Sequence, residues 1–86
     1  MLAGETFGVR EQFERMLGVL GRGKPLDLIA DLRQRSCRAE VVAAFLAVLE
    51  LARLSLIRLH QTDSGELILH RTKRKLQAHE LEAIPA

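Results

Sequence analysis

Three helix-periodic segments in succession, then two alternating segments across a short polar turn, predict a mainly α-helical domain with a small β-hairpin. A tight link between the second and third helical segments makes this order the winged helix-turn-helix layout, three helices plus a wing. Size agrees, because 86 residues make one small domain. With 48% hydrophobic residues, no Trp or Tyr and only three Phe, its core must be mostly aliphatic. Residues 1–70 hold the predicted domain. Residues 71–86 form a tail, basic and then acidic, whose weak periodicity through Leu76, Leu81 and Ile84 leaves helix and frayed coil both open.

The first helix is written in "VREQFERMLGVL", where Val9, Phe13, Met16, Leu17 and Leu20 form one stripe and Arg10, Glu11, Glu14 and Arg15 lie opposite. Thr6 or Gly8 can cap its start, and Glu11 suits the positive end of the helix dipole. It stops in "GRGKP", where Gly21 and Gly23 supply a left-handed cap and Pro25 blocks continuation. The same stretch, Gly18 to Pro25, mimics the start of a phosphate-binding P-loop. A working P-loop follows a strand and carries Ser or Thr after its Lys. Here Gly18 lies inside a helix and Pro25 takes the place of the hydroxyl, so the motif is a helix stop.

A second, short helix runs through "PLDLIADLRQR" with Leu28, Ile29 and Leu32 turned inward. Ser36 then caps a third helix of about 18 residues, with Glu40 in its early turns. "LIRLHQ" alternates, Leu56, Arg58 and His60 to one side and Ile57, Leu59 and Gln61 to the other. "ELILH" is its partner across "TDSG", where Asp63, Ser64 and Gly65 carry the turn.

Charge, cysteine count and hydropathy narrow the function classes. Residues 1–70 hold nine Lys/Arg and nine Asp/Glu, so the body is neutral and the net charge of +2 resides in the tail. A neutral body argues against a dedicated nucleic-acid binder, whose footprint is a basic face. One cysteine excludes an internal disulfide framework and fits a reducing compartment. No apolar run reaches the roughly 18 residues needed to span a bilayer, and the N-terminus carries no signal-peptide pattern, so a cytoplasmic protein is expected. No paired carboxylates, nucleophile constellation or metal-ligand cluster can be assembled, so neither enzyme chemistry nor a cofactor or metal is expected. His60, His70 and His79 are expected to face solvent. Cys37 has no base arranged beside it. "RTKRK" is expected to be a solvated tail, with contact to DNA phosphates as the alternative.

The third helix is the informative one. From Glu40 to Leu54 its only charged or polar residues are Glu40, Glu50 and Arg53. At about 100° per residue, Val41, Ala44, Ala47, Val48 and Leu51 form one apolar arc, and Val42, Phe45, Leu46 and Leu49 form a second. A DNA-reading helix would carry Arg, Lys, Asn, Gln, Ser or Thr on that second face. Two readings stay open: both arcs are core, or the second arc is covered by the folded-back tail or a partner protein. In the latter case Phe45 and Leu49, at i and i+4 beside Val42, are the anchors.

The block "RAEVVAAFLAVLELARLSLIRLHQ" resembles the C-terminal part of the bacterial kleisin ScpA, segregation and condensation protein A. There a helix with an F-L-A-x-L-E-L core precedes a strand ending in Gln and a short wing. Phe45, Leu46, Ala47, Leu49, Glu50 and Leu51 match that core, and Gln61 matches the strand end. The resemblance covers about residues 8–70. It departs in the wing, where "QTDSGELI" is one residue shorter and Ser64 stands where the family has an aromatic. The family's N-terminal helical domain and middle segment have no counterpart, so the chain is expected to be the C-terminal domain alone. The resemblance implies a winged helix that docks on the ATPase head of an SMC protein and helps close a ring used in chromosome condensation and segregation, in the cytoplasm at the nucleoid. Taken with the outer arc of the third helix, it points to Val42, Phe45 and Leu49 as head contacts, to Leu46 as a contact that is also partly core, and to Arg38 and Arg53 at the flanks; it implies recruitment of ScpB through the segment not present. Direct DNA binding is expected to be weak or absent, and the isolated domain is a candidate to pair with itself. The alternative function is a winged-helix DNA-binding regulator.

Overall fold

The structure, a computed structural model, describes residues 8–85. Among these, four helices and a three-stranded antiparallel sheet form one α+β unit: α1 (Val9–Gly21), β1 (Leu26–Asp27), α2 (Leu28–Arg33), α3 (Arg38–Arg53), β2 (Ile57–Gln61), β3 (Leu67–Arg71) and α4 (Ala78–Glu82). The sheet order is β1–β3–β2. Leu26 and Leu59 both oppose Leu69, which places these three on the side of the sheet that faces the helices.

The core is aliphatic apart from Phe13, as the composition requires. Phe13, Met16 and Leu20 of α1 meet Ala44, Ala47, Val48 and Leu51 of α3, and Leu26, Ile57 and Leu69 close the cluster from the sheet. The alanines matter, because small side chains let α1 lie close against α3. A bidentate contact joins α1 to α2, where Arg15 donates to the two carboxylate oxygens of Asp31 at 2.9 and 2.8 Å.

Several elements differ from the sequence expectation, each for a local reason. Among the described residues there are four helices and three strands: the helix left open for the tail forms as α4, and a strand, β1, is added to the expected hairpin. The added strand β1 is only two residues long, too short to show a period, and forms because Leu26 and Asp27 lie along the open side of β3. Asp27 is extended and its carboxylate accepts the Ala30 N–H at 3.1 Å, so α2 begins at Leu28 rather than at Pro25. That start turns Leu28 inward but leaves Ile29 exposed, lining a surface depression with Ser64, Gly65 and Glu66. Gly23 alone supplies the left-handed stop of α1, at φ +81°, whereas Gly21 is the last helical residue. The N-cap of α3 is Cys37, not Ser36; Ser36 instead donates its N–H to Glu40 at 2.6 Å. Thr6 lies outside the described residues.

Residues 71–85 are built into the domain rather than trailing from it. Ile84 is 2% exposed within the core cluster, and Leu76 and Leu81 pack against it. Arg10 holds the segment down: its Nη2 donates to the carbonyls of Glu82 and Ile84 at 2.9 and 2.8 Å, and its backbone N–H donates to Pro85 at 3.0 Å. A cation at the carbonyl end of α4 is favourably placed. The Arg10 Nε is buried without a partner, a cost accepted to seat the clamp.

Candidate functional site

The two arcs of α3 have separate fates. Ala43, Ala44, Ala47, Val48 and Leu51 are buried, and Val41 is half-buried at the margin. On the opposite side Val42, Phe45, Leu46 and Leu49 are 49%, 47%, 42% and 50% exposed. The reading in which both arcs are core therefore gives way. Ala43, which the helical-wheel reading left out of the inner arc, completes the buried face.

Geometry makes these four side chains a single surface. Successive turns place Val42, Phe45, Leu46 and Leu49 as i, i+3, i+4 and i+7, a stripe about 10 Å long. The stripe consists of aliphatic groups around one aromatic ring, with no polar atom to orient a small ligand. It suits an apolar protein partner. The tail does not cover it, because Ile84 and Pro85 are held at the start of α1.

The two expected flanking cations differ. Arg38 is exposed at the N-terminal end of the stripe and makes no ion pair among the described residues. Arg53, at the other end, is already engaged: its Nε and Nη2 donate to Glu50 Oε1 at 3.1 and 2.7 Å. The hydrogen bond to the Glu50 carboxylate raises the pKa of the Arg53 guanidinium above its ordinary value, and Glu80 adds a smaller share from α4. A partner acid would have to compete with Glu50 for Arg53, so Arg38 is the more available of the two.

Other candidate chemistry stays dispersed. His60 and His70 sit diagonally on the outer face of the sheet with ring centroids 6.5 Å apart. Among the described residues no three His, Cys, Asp or Glu side chains converge as metal ligands. Cys37 is exposed. "GRGKP" ends α1 and feeds β1, with no strand before it among the described residues. Among the described residues no helix is long and apolar enough to cross a membrane. Of the "RTKRK" cations, Arg71 donates to the carbonyls of Leu56 and Thr72, and Arg74 is paired with Glu80.

One exposed apolar side chain escaped the sequence reading. Leu59 is 57% exposed although it shares a sheet face with fully buried Leu69. Alternation assigns a face, but only the packing decides whether that face is covered at a given strand. Comparison with protein-family models, curated proteins and solved structures finds no match for the chain.

Proposed function

We propose that this chain is an interaction module of the kleisin C-terminal type, a winged helix that docks through the outer face of α3 on the ATPase head of an SMC protein. The observation that carries the reading is the stripe Val42, Phe45, Leu46 and Leu49, exposed on a helix whose opposite face is buried. Support also comes from the order of elements, which is compatible with a winged helix, and from the F-L-A-x-L-E-L resemblance that places Phe45, Leu46 and Leu49 in its core. In this reading Phe45 is the central anchor, because a buried aromatic at an interface is worth about 2 kcal/mol or more. Arg38 sits at the rim and steers association more than it holds the complex. The module itself has no catalytic part: nucleotide chemistry belongs to the SMC head, and the domain helps close the ring between two heads at the nucleoid. A groove-reading helix would present hydrogen-bonding side chains outward. The apolar stripe argues against the DNA-binding regulator.

Calorimetric titration of the domain against the SMC ATPase head of the same organism tests this directly, with Phe45→Arg alongside. Binding by the parent chain and none by a variant with an unchanged circular dichroism spectrum is the expected result. A parent chain that does not bind the head overturns the reading.

A further inference from the structure

β2 is an edge strand of the sheet. The register fixes which of its backbone groups point outward. Thr72 N–H donates to the Leu56 carbonyl at 3.0 Å and Thr62 N–H donates to the Glu66 carbonyl at 2.9 Å. Ladder bonds in an antiparallel pair recur at every second residue. Arg58 and His60 therefore turn their amides toward β3, opposite His70 and Ile68. Ile57, Leu59 and Gln61 turn theirs away from the sheet, and no turn, cap or side chain among the described residues bonds to them. The result is a row of unpaired donors and acceptors about 14 Å long.

This edge lacks two of the usual protections, a proline and a bulge. Ile57–Gln61 contains no proline, and its register with β3 runs unbroken, without a bulge. Leu59, at its centre, is the most exposed large apolar side chain of the described residues, at 57%. The edge thus offers hydrogen bonds and an apolar contact together, the two components of strand addition.

We propose that β2 accepts an extended peptide segment of a partner protein as a fourth strand, one with acidic residues at alternate positions. Charge selects this occupant. The outer face of β2 carries Arg58 and His60, with His70 beside them on β3; of the acids that the register sets on that face, Asp27 stands on β1 at the far edge and Glu66, at the turn, accepts from the Thr62 and Ser64 hydroxyls. In either orientation an added strand sets every second side chain next to Arg58 and His60, where carboxylates pair favourably. A second copy of β2 fits poorly. Antiparallel pairing about Leu59 sets Arg58 against the copy's His60, and a shift of two residues sets Arg58 against its own copy or His60 against its own. The proposal is independent of the α3 face.

The test uses the full chain and the acetylated, amidated peptide Thr-Glu-Val-Glu-Thr, with hydrogen exchange followed by NMR. Saturating peptide should slow exchange of the Ile57, Leu59 and Gln61 amides about tenfold or more. Arg58→Glu, at an exposed position, should weaken that peptide about tenfold and favour its Lys-for-Glu counterpart. The proposal is overturned if peptide-induced shifts map to Phe45 and Leu49 alone, or if N-methylation of alternate peptide amides leaves binding unchanged. It is also overturned if the same three amides become protected with rising protein concentration and no peptide, with a dimer in sedimentation.

Discussion

Ser55 shows how a single residue closes α3. It lies at φ +60°, the left-handed region that a residue with a Cβ enters at a cost. It stays there because the turn around it is complete: Ser55 N–H donates to Ala52 at 3.0 Å and Leu56 N–H to Leu51 at 2.9 Å, while Leu51 and Leu56 are both fully buried. Thr72 Oγ1 adds a bond to the Ser55 carbonyl at 2.7 Å, tying the turn to the end of β3. Glycine tolerates this φ without the Cβ penalty, so Ser55→Gly should stabilise the domain by about 0.5–1 kcal/mol, read from urea denaturation midpoints. The surface residues behave oppositely. Phe45 is 47% exposed, so Phe45→Arg should leave the thermal midpoint unchanged while removing the proposed partner contact. A large drop in the midpoint would mean that Phe45 supports the fold.

At the scale of elements, α4 is the one most dependent on charge. Its five residues are too few to hold a helix on propensity alone. Glu80 supplies what propensity lacks: its carboxylate accepts the Gln77 N–H at 2.9 Å and is paired with the Arg74 guanidinium. The hydrogen bond from Arg74, then that from Gln77, lowers the Glu80 pKa from 4.5 to about 2. A lowered value means that the ionised form is favoured in the folded state. The contribution is therefore present above the ordinary value of 4.5 and is lost as pH falls toward about 2. Carbon-13 NMR of the Glu80 carboxyl should show a midpoint near 2, moving up toward its ordinary value in Arg74→Ala. An unchanged midpoint in that variant would remove Arg74 as the cause.

For the molecule as a whole, the junction between the start of α1 and the segment after α4 decides whether the core is closed. Arg10 near the start of α1 and the segment after α4 are held together by three hydrogen bonds, and Ile84 enters the core beside them. A domain of this size buries a modest share of its surface, so one aliphatic side chain at its margin is a large fraction of its stability. Ile84→Ala should cost about 2–4 kcal/mol in chemical denaturation. A loss below about 1 kcal/mol would place residues 76–85 outside the cooperative unit. The same closure keeps the tail off the outer face of α3, so among the described residues the outer stripe and the β2 edge are open at once.

Much of this was legible without coordinates. The period of Phe13, Met16 and Leu20, the stop at Gly23 and Pro25, the two arcs of α3 and the turn at Gly65 are local signals, set by backbone geometry and side-chain spacing. So was the content of the α3 face, because a helix with hydrophobic residues on both sides in so small a chain must explain the second side. The rest required long-range contacts. β1 exists because β3 offers it a partner, and α4 exists because Glu80 meets Arg74 and Ile84 meets the core. Ile29 and Leu59 are exposed because no other described element covers them, a fact that alternation along one segment cannot contain. Spacing assigns each residue a direction, but only the assembled structure decides what stands in that direction, since burial depends on every other element.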